Sequence, residues 1–313
     1  TIRGLRVKYL SADPATSENG QVWYNSTTGN LRVDGIAAWS SGGNLGTARY
    51  RLTGAGTQTA GLGFGGFITA NLANTEEYNG SAWTAGGSLP AAKSNSAGAG
   101  TQTAALSGGG TSAPGRTNTS EEYDGTNWTS GGTMNTTRTQ IAGAGTQTAA
   151  SALGGNPPSA PFTTNATELY DGTNWTSGPN LNTARNAMAG AGTQTATLGF
   201  GGGTQPPTAA TESYNGTSWT TVNSMNTARN QLAGAGIQTS ALGFGGATPS
   251  LSAATEEYDG TNWTTTGSLT TARRFLGGGN QTSAPALAFG GFTTAATAAT
   301  EEYTVAAANL STS

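Results

Sequence analysis

Cysteine and histidine are both absent from this sequence of 313 residues. The absence of cysteine excludes a disulfide framework, and the absence of both residues excludes zinc sites and most general-base chemistry. Charged residues are scarce, at 9% of the chain with a net charge of −3, which argues against the basic surface of a nucleic-acid-binding protein. No apolar run approaches the roughly 18–20 residues that span a bilayer, and no signal-peptide core is visible. We therefore expect no metal, no cofactor, no nucleic-acid partner and no membrane insertion.

Glycine is abundant, with 50 residues, and aromatic residues make up 8% of the chain. Disordered chains usually combine a high net charge with few aromatic residues, and neither property applies to this sequence. Glycine, threonine, alanine and asparagine dominate, a composition that suits short strands and tight turns better than helices. The composition therefore predicts an all-β fold.

One stretch of nine residues, 255–263, is the unit around which the chain is organised. Its sequence, Thr-Glu-Glu-Tyr-Asp-Gly-Thr-Asn-Trp, recurs nearly unchanged at residues 75–83, 120–128, 167–175 and 211–219. A sixth copy begins at Thr300 and stops before its tryptophan. Tryptophans recur at intervals of 44 to 47 residues: Trp39, Trp83, Trp128, Trp175, Trp219 and Trp263. A period of about 40–50 residues with four strand-like runs per unit predicts the blades of a β-propeller, here six of them.

The repeat also resembles the Kelch repeat. A Gly-Gly pair ends the second strand of each unit, tyrosine and tryptophan mark the third and fourth strands, and a basic residue precedes the first strand. The glycine pairs are at residues 65–66, 108–109, 154–155, 201–202, 245–246 and 290–291. The resemblance covers about residues 34–303 and implies a six-bladed Kelch-like β-propeller. Two features depart from the Kelch pattern: the interval from tyrosine to tryptophan is short, and the first strand has no histidine.

The tryptophan that is missing from the sixth unit has a counterpart near the other end of the chain. Trp39 is followed by Ser-Ser-Gly-Gly, in the same phase as Trp128 and the residues after it. We predict that residues 36–39 form the outer strand beside residues 301–303, because an open propeller would leave strand edges unpaired. The predicted organisation is an N-terminal attachment segment and hairpin (1–33), a six-bladed propeller (34–303) closed by an N-terminal strand, and a C-terminal tail (304–313).

Residues 20–33 differ from the repeats and are typical of a strand, a turn and a second strand. Their sequence, Gly-Gln-Val-Trp-Tyr-Asn-Ser-Thr-Thr-Gly-Asn-Leu-Arg-Val, resembles segments of tail-fibre and other virion proteins of tailed phages. The resemblance covers under a tenth of the chain and implies a place in a virion. We expect Trp23, which lies outside the repeats, to be exposed or covered by a partner.

Two charged positions recur in every unit. A glutamate lies two positions before each tyrosine: Glu76, Glu121, Glu168, Glu212, Glu256 and Glu301. A basic residue opens each unit: Arg49, Lys93, Arg138, Arg185, Arg229 and Arg273. The glutamates could line a channel for catalysis or cation binding, but identical repetition favours one structural ion pair per blade. The residue directly before each tyrosine, such as Glu257, is expected on the opposite strand face, in solvent.

The connections between the second and third strands vary from unit to unit, while the other turns are nearly constant. These loops are residues 67–74, 110–119, 156–166, 203–210, 247–254 and 292–299. Beside them, the residue two positions after each basic residue is expected at an inner rim. Variation at one end of a constant scaffold is how loops bind partners, although drift in unconstrained loops is the alternative. The predicted binding residues are Arg51, Asn95, Arg116, Gln140, Phe162, Gln231 and Phe275.

An enzyme is the least favoured class. Kelch propellers that are copper oxidases use histidine and a thioether cysteine, and glycosidases need two carboxylates that break the symmetry. We instead expect a non-enzymatic virion (extracellular) protein of a tailed phage: a tail fibre, an appendage or a capsid decoration. Its partner would be a cell-surface receptor glycan or a neighbouring virion protein. The alternatives are a secreted or cell-surface bacterial Kelch-like module that binds glycan or protein, and an unrecognised hydrolase. The oligomeric state is left open.

Overall fold

The computed structural model describes residues 7–11, 22–27, 29–33, 37–203, 206–279, 283–305 and 308–310. Within these ranges every regular element is a β-strand, and there is no helix. The chain divides into two compact units, one formed by Thr1–Ala38 with Thr304–Ser313 and the other by Trp39–Tyr303. The prediction of an all-β chain is confirmed.

The larger unit is a propeller whose described residues form six blades of four antiparallel strands. Blade 1 consists of Thr53–Gly56, Gly61–Phe64, Thr75–Tyr78 and Trp83–Ala85. Blade 2 consists of Ala97–Gly100, Ala105–Ser112, Gly115–Tyr123 and Trp128–Ser130. Blade 3 consists of Ala142–Thr146, Ala149–Leu153, Thr167–Tyr170 and Trp175–Ser177. Blade 4 consists of Ala189–Thr193, Ala196–Phe200, Thr211–Tyr214 and Trp219–Val222. Blade 5 consists of Ala233–Ile237, Ser240–Phe244, Thr255–Tyr258 and Trp263–Thr266. Blade 6 consists of Gly277–Gly278, Ala286–Phe289, Thr300–Val305 and Ala37–Ser41.

Blade 6 takes its fourth strand from the N-terminal part of the chain. Ala37–Ser41 lies beside Thr300–Val305 in the sheet. Trp39 packs on Tyr303 with ring centroids 5.1 Å apart, and Ser40 Oγ donates a hydrogen bond to the Glu302 carbonyl at 3.5 Å. The predicted closure by an N-terminal strand is therefore confirmed.

Glycine in the first strands lets the six blades meet at the propeller axis. A Cβ atom at any of these glycines would lie 2.3–3.1 Å from a carbonyl oxygen of the preceding blade's glycine, well inside van der Waals contact. The six are Gly54, Gly98, Gly143, Gly190, Gly234 and Gly278. Glycine is therefore required in the repeated Gly-Ala-Gly sequence, because the backbones of neighbouring first strands come too close for a side chain.

The repeated tryptophans pack between neighbouring blades. Trp128 of blade 2 lies against Phe64 of blade 1, with ring centroids 4.8 Å apart, and its indole Nε1 donates to Thr75 Oγ1 at 2.9 Å. Trp263 repeats both contacts with Phe200 and Thr211 of blade 4. A buried indole N–H usually finds a partner, and here the first residue of the preceding third strand supplies it.

Among the described residues, the glutamine in the turn after the first strand of blades 1 to 5 also joins neighbouring blades, which the sequence pattern did not reveal. Gln102 Nε2 of blade 2 donates to the carbonyl oxygens of Gly61 and Tyr78 in blade 1, at 3.0 and 2.7 Å. Gln58, Gln147, Gln194 and Gln238 make the equivalent bonds to their own preceding blades. The near-constant Gly-Thr-Gln turn is therefore an interface element.

Two details of the blades differ from the expected pattern. In blade 2 the glycines with positive φ are Gly109 and Gly110, one position later than the expected pair. Gly108 pairs with Ser120 as Phe64 pairs with Thr75, so Gly108 occupies the position of the blade 1 phenylalanine. Two of the variable connections also contain strand. The second and third strands of blade 2 extend through it to Ser112 and Gly115, and blade 5 has a small ladder of Ala247–Thr248 with Ser250–Leu251.

The smaller unit is a four-stranded sheet in the order Lys8–Leu10, Val22–Asn25, Asn30–Val33 and Ala308–Leu310. The first pair is parallel and the other two are antiparallel. The two central strands form the expected hairpin, and its turn places Gly29 at a φ of +72°, which favours glycine. Trp23 is only 6% exposed, so the prediction of an exposed or partner-covered ring is wrong. It lies on the same buried strand face as Asn25.

Candidate binding face

The variable connections all emerge at one end of the propeller. Because consecutive strands of a blade are antiparallel, the connections between second and third strands lie at the same end as those between blades. We call this end the loop face and the opposite end the turn face. Bridges join the two kinds of connection directly, Tyr50 with Phe67 in blade 1 and Thr139 with Asn156 in blade 3. The loop face is therefore built from both.

The repeated basic and acidic residues meet as one ion pair within each blade. The pairs are Arg49–Glu76, Lys93–Glu121, Arg138–Glu168, Arg185–Glu212, Arg229–Glu256 and Arg273–Glu301. The basic side chains are at most 1% exposed. Burial lowers the pKa of the five guanidiniums and of the Lys93 ammonium, and the paired glutamate opposes that effect.

Blade 5 illustrates what surrounds each pair. Arg229 Nη1 donates to the carbonyl oxygens of Gly245 and Ala254 at 2.9 and 2.6 Å, and Nη2 lies 3.0 Å from Glu256 Oε1. The other oxygen of Glu256 accepts the Asn226 amide N–H at 2.6 Å. The pair thus joins the end of the second strand, the start of the third and the connection from the preceding blade. This carboxylate is engaged by its own blade rather than facing a second carboxylate.

The residue directly before each tyrosine is not in solvent, and the prediction for Glu257 is wrong. Glu257 is half-buried and accepts a hydrogen bond from Tyr303 Oη of the next blade at 2.9 Å. The same bond joins Tyr78 to Glu302, Tyr123 to Glu77 and Tyr170 to Glu122. Burial, together with the glutamate, raises the pKa of Tyr78 and Tyr170 to about 12. Strand alternation did place this residue on the opposite face, but that face packs against the neighbouring blade.

The residues expected at the inner rim form a closed ring around the axis. We call them the rim residues: Arg51, Asn95, Gln140, Ala187, Gln231 and Phe275. Each has a φ of 51–58°, although none is glycine. Each also donates its amide N–H to the carbonyl of the preceding rim residue, at 2.8–3.0 Å, and the Arg51 amide closes the ring on Phe275. The ring satisfies the backbone groups at the mouth of the channel and leaves only side chains to contact a ligand.

The rim surrounds an axial pocket of about 130 Å³. Below the mouth the wall is formed by Leu52, Ile141, Met188, Leu232 and Leu276, with Ser96 in blade 2, and then by first-strand glycines. A cavity of this size holds a few water molecules or one small substituent of a ligand, far less than the roughly 300–1,000 Å³ of typical ligand pockets. The bulk of any ligand would therefore lie on the loop face itself.

The other two predicted binding residues lie in outer loops and do not line the pocket. Arg116 belongs to the long third strand of blade 2, and its Nη2 donates to Asn156 Oδ1 of blade 3 at 2.9 Å. Phe162 is 48% exposed, with a φ of +58°, in the loop of blade 3. The structure thus brings five of the seven predicted binding residues together at the rim.

Sequence reasoning missed a cluster of large side chains where blade 6 meets blade 1. Tyr50 contacts Phe67, Phe275 and Phe292, with ring centroids 5.6, 6.2 and 5.1 Å apart, and Arg274 lies over Phe292. Tyr50 and Arg274 directly follow the paired arginines, and Phe67 and Phe292 directly follow the glycine pairs. In blades 2 to 5 the position after the paired basic residue holds Ser94, Thr139, Asn186 and Asn230. The position after the glycine pair holds Thr111, Asn156, Gly203 and Ala247. Aligning the repeats would have exposed this break in symmetry.

Charge is distributed unequally between the two faces. The connections that form the loop face contain no aspartate or glutamate in sequence, whereas Asp124, Asp171 and Asp259 occupy tight turns of the turn face. These aspartates accept hydrogen bonds from the amides that follow them, which lowers their pKa. Among the described residues no group of three or more acidic residues could hold a metal ion. The same residues include no helix with the length and apolarity to cross a membrane.

No protein-family model matches the chain, and no curated protein is significantly similar to it. The function is therefore inferred from the geometry of the chain itself.

Proposed function

We propose that the chain is a non-enzymatic binding protein whose loop face contacts a receptor glycan or a neighbouring protein. The observation that supports this most directly is the contrast between the two faces. The turn face repeats nearly the same residues in every blade, whereas the connections between second and third strands on the loop face differ in sequence in every blade and are longer in blades 2 and 3. Loops of this kind, held on a rigid scaffold, are where binding residues concentrate.

The arrangement of carboxylates supports binding rather than hydrolysis. Glycoside hydrolysis requires two carboxyl groups on either side of the scissile bond. Six glutamates are held in ion pairs inside their blades, and four more accept tyrosine hydroxyls between blades. The exposed aspartates lie on the turn face, away from the pocket.

The finer proposal is that this propeller is a Kelch-like virion protein of a tailed phage, such as a tail fibre, an appendage or a capsid decoration. The blade pattern supports the Kelch relationship, and the sequence of residues 20–33 supports the virion location. In this proposal the smaller unit attaches the chain to the particle and the propeller supplies the binding surface. Immunogold labelling of intact particles tests the location, and label found only on bacterial surfaces would favour a secreted bacterial propeller.

The loop of blade 3 provides the direct test of the binding face. Residues 156–166, the longest of these loops, would be replaced by residues 247–254 of blade 5. We expect retention on an array of bacterial surface polysaccharides, or incorporation into particles, to be abolished while the melting temperature is preserved. As a matched control, residues 259–262 of the turn face would be replaced by Asn-Gly-Thr-Ser from blade 4, which should change neither. Normal binding and assembly by the loop variant would contradict the proposal.

A further inference from the structure

Among the described residues of the loop face, aromatic rings and unpaired cations occur together only in the cluster between blades 6 and 1. We call it the arginine–aromatic patch: Tyr50, Arg51, Phe67, Arg274, Phe275 and Phe292. All six side chains are half-buried. The Arg51 guanidinium lies 5.0–5.6 Å from the ring centres of Tyr50, Phe67 and Phe275, and Arg274 lies 5.5 Å from Phe275 and Phe292. The rings hold both guanidiniums in fixed positions at the surface.

The two arginines lack a carboxylate partner. Within the described residues neither side chain has an ion pair or a hydrogen bond. By contrast, the basic residue that opens each blade is paired with a glutamate, and Arg116 donates to Asn156. Because the loop-face connections contain no acidic residue, the two guanidiniums are free to bind an anionic group of a partner. A planar guanidinium presents a fork of donors that suits a carboxylate.

The surroundings of the patch distinguish a sugar from other anions. Aromatic side chains offer apolar faces together with polar edges, and the C–H face of a sugar ring is a flat apolar surface of similar size. Beside the rings, the rim amides Asn95, Gln140 and Gln231 face the axial pocket. Gln231 Oε1 is buried and accepts no hydrogen bond. One edge of a ligand thus meets rings and cations, and the adjoining edge meets amides, as an acidic sugar requires.

We propose that the arginine–aromatic patch is a subsite for a carboxylate-bearing sugar residue of an acidic oligosaccharide. The sugar ring lies on the aromatic cluster, Arg51 and Arg274 bind the carboxylate, and the rim amides bind hydroxyl groups. This inference rests on the proposed function of the loop face and specifies its ligand.

The repeats supply conservative variants for the test. Arg51→Gln places at the rim the residue found in blades 3 and 5, and Arg274→Asn installs the residue found in blades 4 and 5. Tyr50→Ser installs the residue of blade 2. The control is Lys8→Gln, which removes the same charge from an exposed position in the strand Lys8–Leu10 of the smaller unit. Melting temperatures would establish that all four variants are folded.

Binding of the full chain would be measured to immobilised uronic-acid and sialic-acid oligosaccharides, and to the same oligosaccharides after reduction of the carboxyl group. We expect carboxyl reduction and each arginine variant to weaken binding by about tenfold or more, as loss of a charge-assisted hydrogen bond implies. Tyr50→Ser should also weaken binding, because it removes one of the rings on which the sugar lies. Lys8→Gln should change binding less than about twofold, since it leaves the patch intact.

Three results would overturn the inference. Equal binding of the carboxylated and reduced sugars would do so. Equal losses of binding from Arg274→Asn and Lys8→Gln would also do so, because they would indicate general attraction to anions. Binding of a glutamate-rich peptide in place of every acidic sugar would assign the patch to a protein ligand.

The blade 3 loop exchange separates failure of the subsite from failure of the proposed function. If neutral glycans bind and the blade 3 loop exchange abolishes that binding, the proposed function stands and this subsite does not. If no glycan binds and the same exchange leaves incorporation into particles normal, both fail.

Discussion

Neighbouring residues of one strand perform different tasks in this propeller. Glu256 points into blade 5, where it pairs with Arg229 and accepts the Asn226 amide N–H. Glu257 points toward blade 6, where it accepts the hydroxyl of Tyr303. The first carboxylate stabilises the inside of a blade, and the second stabilises an interface between blades.

The two glutamates should therefore differ in their contribution to stability. Glu256→Ala leaves Arg229 buried without a partner charge, which should lower the free energy of unfolding by about 3–5 kcal/mol. Glu257→Ala removes one charge-assisted hydrogen bond in a half-buried position, and a loss of about 1–2 kcal/mol is expected. Urea unfolding measures both, with Thr264→Ala as the control because Thr264 is exposed opposite Glu257. Equal losses from the two glutamate variants would contradict the assignment.

The tyrosine hydroxyls at the interfaces predict a loss of stability at high pH. Burial and the glutamate contacts raise the pKa of Tyr78 and Tyr170 from the ordinary 10.0 to about 12. Because the folded pKa is above the unfolded value, this stability is complete below pH 10 and is lost as the pH rises toward 12. Melting temperatures across this range should fall, and Tyr78→Phe should make the fall shallower. A flat profile in the native chain would refute the coupling.

At the level of the strand, the sequence was informative wherever a repeat reports on packing. The tryptophan period predicted the number of blades, and the phase of Trp39 predicted the closing strand. Both predictions succeed because a propeller needs one aromatic anchor per interface and has no free edge. The position of Glu257 was misjudged because strand alternation assumes a sheet with one solvated face. In a propeller both faces of a blade pack against neighbours.

The candidate site was only partly predictable for related reasons. Chain topology placed Arg51, Asn95, Gln140, Gln231 and Phe275 at the rim, but no residue preference indicated their left-handed backbone. That conformation is usual for glycine and asparagine, whereas the ring imposes it on arginine, alanine and phenylalanine through its hydrogen bonds. The arginine–aromatic patch joins residues from opposite ends of the propeller sequence, so only closure of the ring brings Tyr50 to Phe275.

The glutamines in the turns after the first strands also show that the sequence did not reveal contacts between blades. Gln102 looks like an ordinary turn residue in sequence, and its two acceptors belong to the preceding blade. Repetition of the Gly-Thr-Gln turn indicated a constraint without revealing the partner.

For the molecule as a whole, the six interfaces between blades are not equal. In four of them the tyrosine of one blade donates to a glutamate of the preceding blade. Between blades 3 and 4 the residue in the glutamate position is Leu169, and among the described residues Tyr214 makes no such bond.

At the same interface, Trp219 does not bond the threonine that the other tryptophans use. Its indole donates to the Pro179 carbonyl at 3.0 Å, and Thr167 Oγ1 is buried without a partner. Pro179 has no amide N–H to offer Tyr214, whereas Gly43 and Gly132 donate theirs to Tyr78 and Tyr170.

The interface between blades 3 and 4 should therefore open first, because local opening begins where the fewest interactions are lost. Native-state hydrogen exchange should reveal the early opening. The strands at this interface, Thr167–Tyr170 and Trp219–Val222, should exchange at lower denaturant concentration than the strands between blades 1 and 2, which are Thr75–Tyr78 and Trp128–Ser130. Leu169→Glu should supply the missing acceptor for Tyr214 and raise protection at this interface. The expected net gain is about 1 kcal/mol, since a charge-assisted hydrogen bond of about 1.5–3 kcal/mol outweighs the burial that half-buried Leu169 loses.

Ser213→Glu is the matched control for that variant, because it places a carboxylate at the next interface, where Trp263 already bonds Thr211. It should leave exchange between blades 3 and 4 unchanged. If the strands beside Trp39 exchange first instead, the closing strand from the N-terminal part of the chain, and not Leu169, sets the weakest interface. Opening would then begin where the ring is joined, and Leu169→Glu would have no effect on the order of exchange.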